Sequence, residues 1–167
     1  MTFTVSEQTD ADWPEVWRVL EPAFRAGESY PLPLNVSEED AKLYWIKRDG
    51  LNAVARDQSG AVVGVYYLRP DQGGPGSHIC NAGYVIAESA RGKGYAVELC
   101  KQSQDQARAM GFRGMKFNLV VSNNTAAVTA WKRAGMDILG TVPGAFRHPV
   151  DGFVDAYIMY RALEAAE

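Results

Sequence analysis

The segment Arg91-Gly92-Lys93-Gly94-Tyr95-Ala96 constrains this chain more than any other. It follows a strand-like run, Asn81 to Ala87, and opens a helix-like run that reaches about Met110. Two glycines permit a tight turn and leave room for a large group to approach. A helix start offers unpaired N–H groups and the positive end of its dipole. Strand, glycine turn and helix start together form an anion site suited to a phosphate or pyrophosphate. Arg91 and Lys93 place two cations in the same turn. The turn also argues against a parallel dinucleotide-binding fold, because it comes after four strands rather than one and lacks the full G-x-G-x-x-G spacing.

The elements on either side follow from periodicity. Thr2 to Ser6 alternates as a strand, and Asp10 or Asp12 caps a helix that begins near Trp13-Pro14. Val16, Trp17, Leu20, Ala23 and Phe24 repeat at helical spacing until Gly27. Glu28 to Pro33 is a loop, and Ser37 with Asp40 three residues on begins a second helix. Leu51 to Arg56 and Ala61 to Arg69 form a hairpin across Asp57-Gln58-Ser59-Gly60. Asp71 to Gly76 is a glycine-rich loop, and His78 to Ala87 is the fourth strand. Beyond the glycine turn and its helix come a strand from Met115 to Val121 and a short helix capped by Asn124 or Thr125 and ended by Gly135. Strands Met136 to Val142 and Phe153 to Tyr160 follow, joined by a loop from Pro143 to Gly152. The order is β-α-α-β-β-β-α-β-α-β-β, with hairpins early and late and two βαβ-like crossovers between them.

With 47% apolar residues and no run near ~18 of them, residues 1–167 read as one soluble domain with no membrane span. A net charge of −3 argues against a general nucleic-acid partner. No signal peptide is visible, and Cys80 and Cys100 form no CxxC pair, so a reduced, cytoplasmic protein is expected. His78 and Cys80 share a strand face without a second ligand pair, so no metal site is expected.

This element order and two motifs resemble the GNAT superfamily of N-acetyltransferases along nearly the whole chain. Arg91, Gly94 and Ala96 match the family's Arg-x-x-Gly-x-Gly/Ala turn; Asn124, Ala127, Trp131 and Gly135 match its downstream Asn, Ala, aromatic and Gly pattern. The resemblance implies an α/β fold: a mixed, mostly antiparallel sheet of about seven strands with flanking helices. It implies acetyl-coenzyme A as co-substrate, its pyrophosphate on the backbone of Arg91, Gly92, Lys93, Gly94, Tyr95 and Ala96. The backbone of Tyr84, Val85 and Ile86 pairs with the pantetheine arm, with one N–H facing the thioester oxygen, and Asn124 also contacts the coenzyme. Asn81-Ala82-Gly83-Tyr84, Phe117-Asn118-Leu119-Val120 and Asn123-Asn124-Thr125 further resemble fungal acetyltransferases acting on proline analogues such as azetidine-2-carboxylate. In those enzymes the positions of Asn81 and Asn118 hold the acceptor.

Acetyl transfer needs a held thioester, stabilisation of the charge that develops on its oxygen, and a neutral nitrogen placed close by. Asn81 and Asn118 are expected in central strands, where a buried amide must be hydrogen-bonded. Each either pairs with backbone at a strand break or, as the catalytic pair, fixes an acceptor. An amide takes no proton at neutral pH. Much of the family has tyrosine as the acid at the position of Trp131, whose indole has no useful pKa. Glu28 and Tyr30 in the early loop, and Arg147 in the last hairpin, are candidate acceptor-binding residues with surface roles as the alternative. The expected function is transfer of acetyl to the amine of a small molecule by direct attack in a ternary complex. A non-catalytic acyl-coenzyme A sensor and a peptide N-acetyltransferase are the alternatives. The helical and hairpin surfaces leave room for a homodimer.

Overall fold

The computed structural model describes residues 2–46 and 49–163. One seven-stranded sheet organises the chain: β1 (Phe3–Glu7), β2 (Leu51–Asp57), β3 (Val62–Pro70), β4 (Ile79–Ile86), β5 (Gly114–Val121), β6 (Asp137–His148) and β7 (Gly152–Ala162). Their spatial order is β1-β2-β3-β4-β5-β7-β6. Every neighbouring pair is antiparallel except β4 with β5. Helices α1 (Trp13–Ala26) and α2 (Glu38–Trp45) lie between β1 and β2 in the chain, α3 (Tyr95–Ala109) links β4 to β5, and α4 (Thr125–Arg133) follows β5. The second crossover differs from a simple βαβ unit, because β7 inserts between β5 and β6.

Strand alternation divides the core into two layers. Val54, Val65, Tyr67 and Val85 pack with Trp13, Val16, Leu20, Phe24 and Trp45 on the α1/α2 side. Leu68, Cys80, Ala82, Tyr84, Met115 and Phe117 pack with Leu99, Cys100, Ala107 and Trp131 on the α3/α4 side. Fully burying one such large side chain stabilises the fold by about 1.5–3 kcal/mol, so each layer outweighs any single surface contact. Asn81, Gly83 and Val85 therefore face α1 and α2, while Cys80, Ala82 and Tyr84 face α3 and α4.

Two local expectations are corrected. The stretch after Val142 is strand: β6 continues to His148, and the hairpin turn is confined to the residues before Gly152. β6 is the sheet edge, where the N–H that Pro143 lacks is not needed for pairing. The register shifts between Val142 and Phe146, and Gly144, at φ 57°, donates its N–H to Asp155 Oδ1 at 2.9 Å. A bulge absorbs the two turn-forming residues instead of ending the strand. The second correction is at α1, where Asp12 makes no capping bond. Its carboxylate accepts from the Thr9 N–H at 2.7 Å and from Arg56 of β2 at 2.9 Å, tying the helix start to the sheet. Ser37 does cap α2, accepting from the Asp40 N–H at 3.0 Å.

Candidate active site

β4 and β5 pair over three positions only: Ile79 with Gly114, Cys80 with Met115 and Asn81 with Lys116. Beyond Asn81 the two parallel strands part. A cleft of about 1170 Å³ occupies the opening, lined by Tyr84, Val85 and Ile86 of β4, Asn118 to Val121 of β5, and the starts of α3 and α4. The splay leaves backbone groups of β4 without a β5 partner, and such groups must be satisfied by something else. At one of them, the Tyr30 hydroxyl donates to the Tyr84 carbonyl at 3.0 Å.

The glycine turn stands at one end of this cleft. Gly92 and Gly94 have φ of 73° and 83°, in the left-handed region that favours glycine. Gly94 is the N-cap of the 15-residue helix α3 and brings no side chain to cap it, so the first-turn N–H groups stay open. A Cβ built on Gly92 would meet nothing within 4 Å. The space above the turn thus suits a bulky anion. Arg91 lies on the cleft wall with Glu88 at 3.9 Å. Lys93 turns away and donates to the Ser89 carbonyl at 2.8 Å. Tyr95 and Ala96 continue the wall, Tyr95 braced edge-on against Phe3.

Asn81 sits at the parting of the strands. Its Nδ2 donates to the Lys116 carbonyl at 3.0 Å and its Oδ1 accepts from the Tyr67 hydroxyl at 3.3 Å. One N–H and one lone pair remain. Asn118 departs from expectation: it is exposed, at a register irregularity between Phe117 and Val120 where β5 meets β7. The irregularity turns it out of the ladder towards the cleft. Its Nδ2 donates to Asp71 Oδ1 at 2.7 Å, leaving Oδ1 as an acceptor. Asp71, placed by its sequence in the glycine-rich loop from Asp71 to Gly76, has a side chain only 4% exposed and ion-pairs with Lys116 at 2.7 Å. Desolvation pushes its pKa up, but hydrogen bonds from Lys116 and Asn118 and the Lys116 charge outweigh that and hold it below the usual carboxylate range.

The α1/α2 side of the cleft is an aromatic pocket. Tyr30, Tyr44 and Tyr67 line it, with the buried Trp45 edge-on to Tyr67 at 5.0 Å. Tyr67 opposes Gly83 across β3 and β4, and a Cβ on Gly83 would lie 2.5 Å from the phenol ring. Glycine is therefore required there for close approach. Desolvation raises the Tyr30 pKa well above its ordinary value and pushes Tyr44 to about 12, so both stay protonated. Arg69 lies over Tyr67, its Cζ 3.9 Å from the ring centroid. Glu28 is exposed and also lines the cleft.

Asn124 caps α4, its Oδ1 accepting from the Ala127 N–H at 3.1 Å; its Nδ2 has no partner among the described residues. Trp131 is buried against Tyr84 and Phe117, with ring centroids 5.0 and 5.4 Å apart, and presents one edge to the cleft. Tyr84 cannot replace the missing acid. Its hydroxyl lies 2.6 Å from Ser103 Oγ inside the core, and desolvation raises its pKa well above the ordinary value. Burial likewise pushes the thiols of Cys80 and Cys100 to about 12 and about 11. Arg147 is exposed on β6 and does not line the cleft, whereas its neighbour His148 does. His78 is exposed beside the Pro75 carbonyl.

Sequence reading missed Tyr44, Tyr67, Arg69, Asp71 and Lys116. The available signal was parity: from Tyr67, steps of two reach Arg69 and Asp71 on the face that carries Asn81.

A family model described as the acetyltransferase (GNAT) family matches residues 13–136. The solved structure of a GCN5-related N-acetyltransferase from Kribbella flavida superposes with a TM-score of 0.90 at 36% identity, covering 96% of this chain and 98% of that one. N-acetyltransferase aca1 of Schizosaccharomyces pombe is 28% identical over 148 residues, 79% of this chain and 71% of its own. A GNAT superfamily phosphinothricin acetyltransferase from Sinorhizobium meliloti, solved with AcCoA, shares the fold with a TM-score of 0.85 at 20% identity, covering 98% and 89% of the two chains.

Proposed function

This chain belongs to the acetyltransferase (GNAT) family and is an N-acetyltransferase; on that premise we propose that residues 1–167 act as one domain that moves acetyl from acetyl-coenzyme A to the amine of a small molecule. The single observation that carries the reading is the parting of β4 from β5 immediately after Asn81, with the glycine turn at one end of the opening and an aromatic pocket at the other.

The residues fit the coenzyme. The open space over Gly92, the free N–H groups at the start of α3, and Arg91 would hold the pyrophosphate. The freed backbone of Tyr84 to Ile86 would hold the pantetheine arm, with the Nδ2 of Asn124 beside it. Bound there, acetyl-coenzyme A supplies an activated acyl group with a thiolate leaving group. The N–H of Ile86 polarises the acyl oxygen, and Trp131 excludes water. Asn118 Oδ1 accepts from the acceptor's amine, and Asn81 keeps the parted strands in place. Glu28, exposed on the cleft wall, would attract the acceptor's cation before one proton leaves to water; as the C–N bond forms and the C–S bond breaks, the second proton would pass through water to the departing thiolate.

Attack is direct in a ternary complex, since both thiols are buried and held neutral. Two free buried cysteines suit a reducing cytoplasm. The likeness to proline-analogue enzymes puts azetidine-2-carboxylate first among acceptors to try. Exposed Leu139, Val142 and Phe153 on the β6–β7 hairpin suit packing against a second copy, which size-exclusion chromatography checks as twice the chain mass.

Calorimetric titration with acetyl-coenzyme A tests the reading. Wild type binds, and Gly94→Glu, which puts a side chain and a negative charge at φ 83°, loses at least about 100-fold in affinity. A folded wild type that binds no acetyl-coenzyme A, or a variant of unchanged affinity, contradicts the placement.

A further inference from the structure

Arg69 is a cation without an anion. It lies near the end of β3 on the α1/α2 face, directly across from Asn81. Its guanidinium lies over Tyr67, 5.7 Å from the Tyr44 ring centroid, and donates one hydrogen bond to the Tyr44 carbonyl at 3.2 Å. Among the described residues no carboxylate ion-pairs with it. Asp71, two residues on, is committed to Lys116 and Asn118. A guanidinium carries five N–H donors in a planar fork. Most of that fork is therefore unspent, in a cleft whose nearby phenols stay protonated and repel no anion.

The register places a complementary group nearby. Arg69 pairs with Asn81, and Asn81 with Lys116, so the three stand on one line across β3, β4 and β5. Asn118 is two residues beyond Lys116 on the same face, offering Oδ1 as an acceptor for N–H. A donor fork on one side of the line and a carbonyl acceptor on the other match a molecule that carries both an anion and an amine. Planar carboxylate suits the fork bidentately, and removal from water strengthens such a pair. Arg147 is on the outer surface, Lys93 is turned to Ser89, and Lys116 is neutralised. Arg69 is thus the cation of the aromatic pocket with capacity to spare.

We propose that Arg69 selects the acceptor by charge, binding a carboxylate on the amine substrate through the free edge of its guanidinium. This rests on the acetyltransferase reading above and adds to it a residue that determines acceptor specificity. Tyr67 packs against the guanidinium, a contact that a bare ammonium at this position would make less well.

The test compares matched pairs with the full-length enzyme: azetidine-2-carboxylate, proline and phenylalanine against the carboxamide of each, together with an uncharged-ended tripeptide. Thiol release gives kcat/KM, and calorimetry on coenzyme A-saturated enzyme gives acceptor affinity without turnover. Wild type is expected to favour the carboxylate of at least one pair by roughly 10- to 100-fold. Arg69→Met, which keeps the length of the stem, abolishes that preference while acetyl-coenzyme A affinity stays as in wild type. Arg69→Lys restores only part of it, because the ammonium lacks the fork. Acetylation of carboxamides or of the peptide at least as well as of the carboxylates overturns the inference and leaves the acetyltransferase reading standing. A carboxylate preference that survives in Arg69→Met also overturns it. Failure of wild type to bind acetyl-coenzyme A instead overturns the reading on which the inference rests.

Discussion

Asn118 depends on Asp71, and the pair sets two expectations. Asn118→Ala removes an acceptor for the substrate's N–H without touching the glycine turn, so kcat/KM for the amine should fall about 10-fold or more while acetyl-coenzyme A affinity is preserved. Steady-state kinetics with either substrate varied checks this; wild-type turnover returns Asn118 to a structural role. Asp71→Asn breaks the ion pair with Lys116, which is 31% exposed and keeps part of its hydration, so the cost at pH 7 is about 1–2 kcal/mol. The folded pKa of Asp71 is depressed. Its contribution is thus present above the unfolded value of 3.8 and lost as pH falls through the lower folded value. In urea denaturation the gap between wild type and variant should shrink as pH drops below about 4; a gap constant from pH 7 to pH 3 contradicts the assignment. At this scale the sequence revealed least. Asp71-Gln72-Gly73-Gly74 has turn composition, and nothing local signals that Asp71 is buried. That is decided by Lys116, brought over by the β4–β5 register from 45 residues away.

The elements themselves were largely legible, because apolar periodicity and glycine punctuation are local. The helix following Gly94 and the cap at Asn124 are where the spacing predicts them. The β6 strand was cut short because Pro143-Gly144 is a strong turn signal, and only pairing with β7 through a bulge overrides it. How far β4 and β5 stay paired is likewise set by long-range contacts, so the splay was not readable from periodicity. The splay gives the loop before α2 a specific role. Tyr30 satisfies the Tyr84 carbonyl on β4, where the pantetheine arm is proposed to pair. Tyr30→Phe removes that competitor and should tighten acetyl-coenzyme A binding by roughly 2- to 10-fold, the weight of one hydrogen bond. Calorimetry that finds weaker binding would instead make the Tyr30 hydroxyl part of the coenzyme's support.

For the molecule as a whole, the sheet order brings the donor and acceptor functions to one gap. α3 supplies the anion cradle from one end, while α1 and α2 supply the aromatic pocket against the opposite sheet face. The donor side was readable because a glycine turn and a cap carry their function in consecutive residues. The acceptor side draws Tyr30, Tyr44, Arg69, Asn81 and Asn118 from five elements or loops, and only the folded sheet assembles them. The most direct measurement is coenzyme A thiol release from acetyl-coenzyme A in the presence of an amine panel. The account predicts release that rises and saturates with at least one small amine, with the acetyl group recovered on its nitrogen. A folded, acetyl-coenzyme A-binding protein whose thiol release is unaffected by every amine would contradict it and leave a binding module in place of an enzyme.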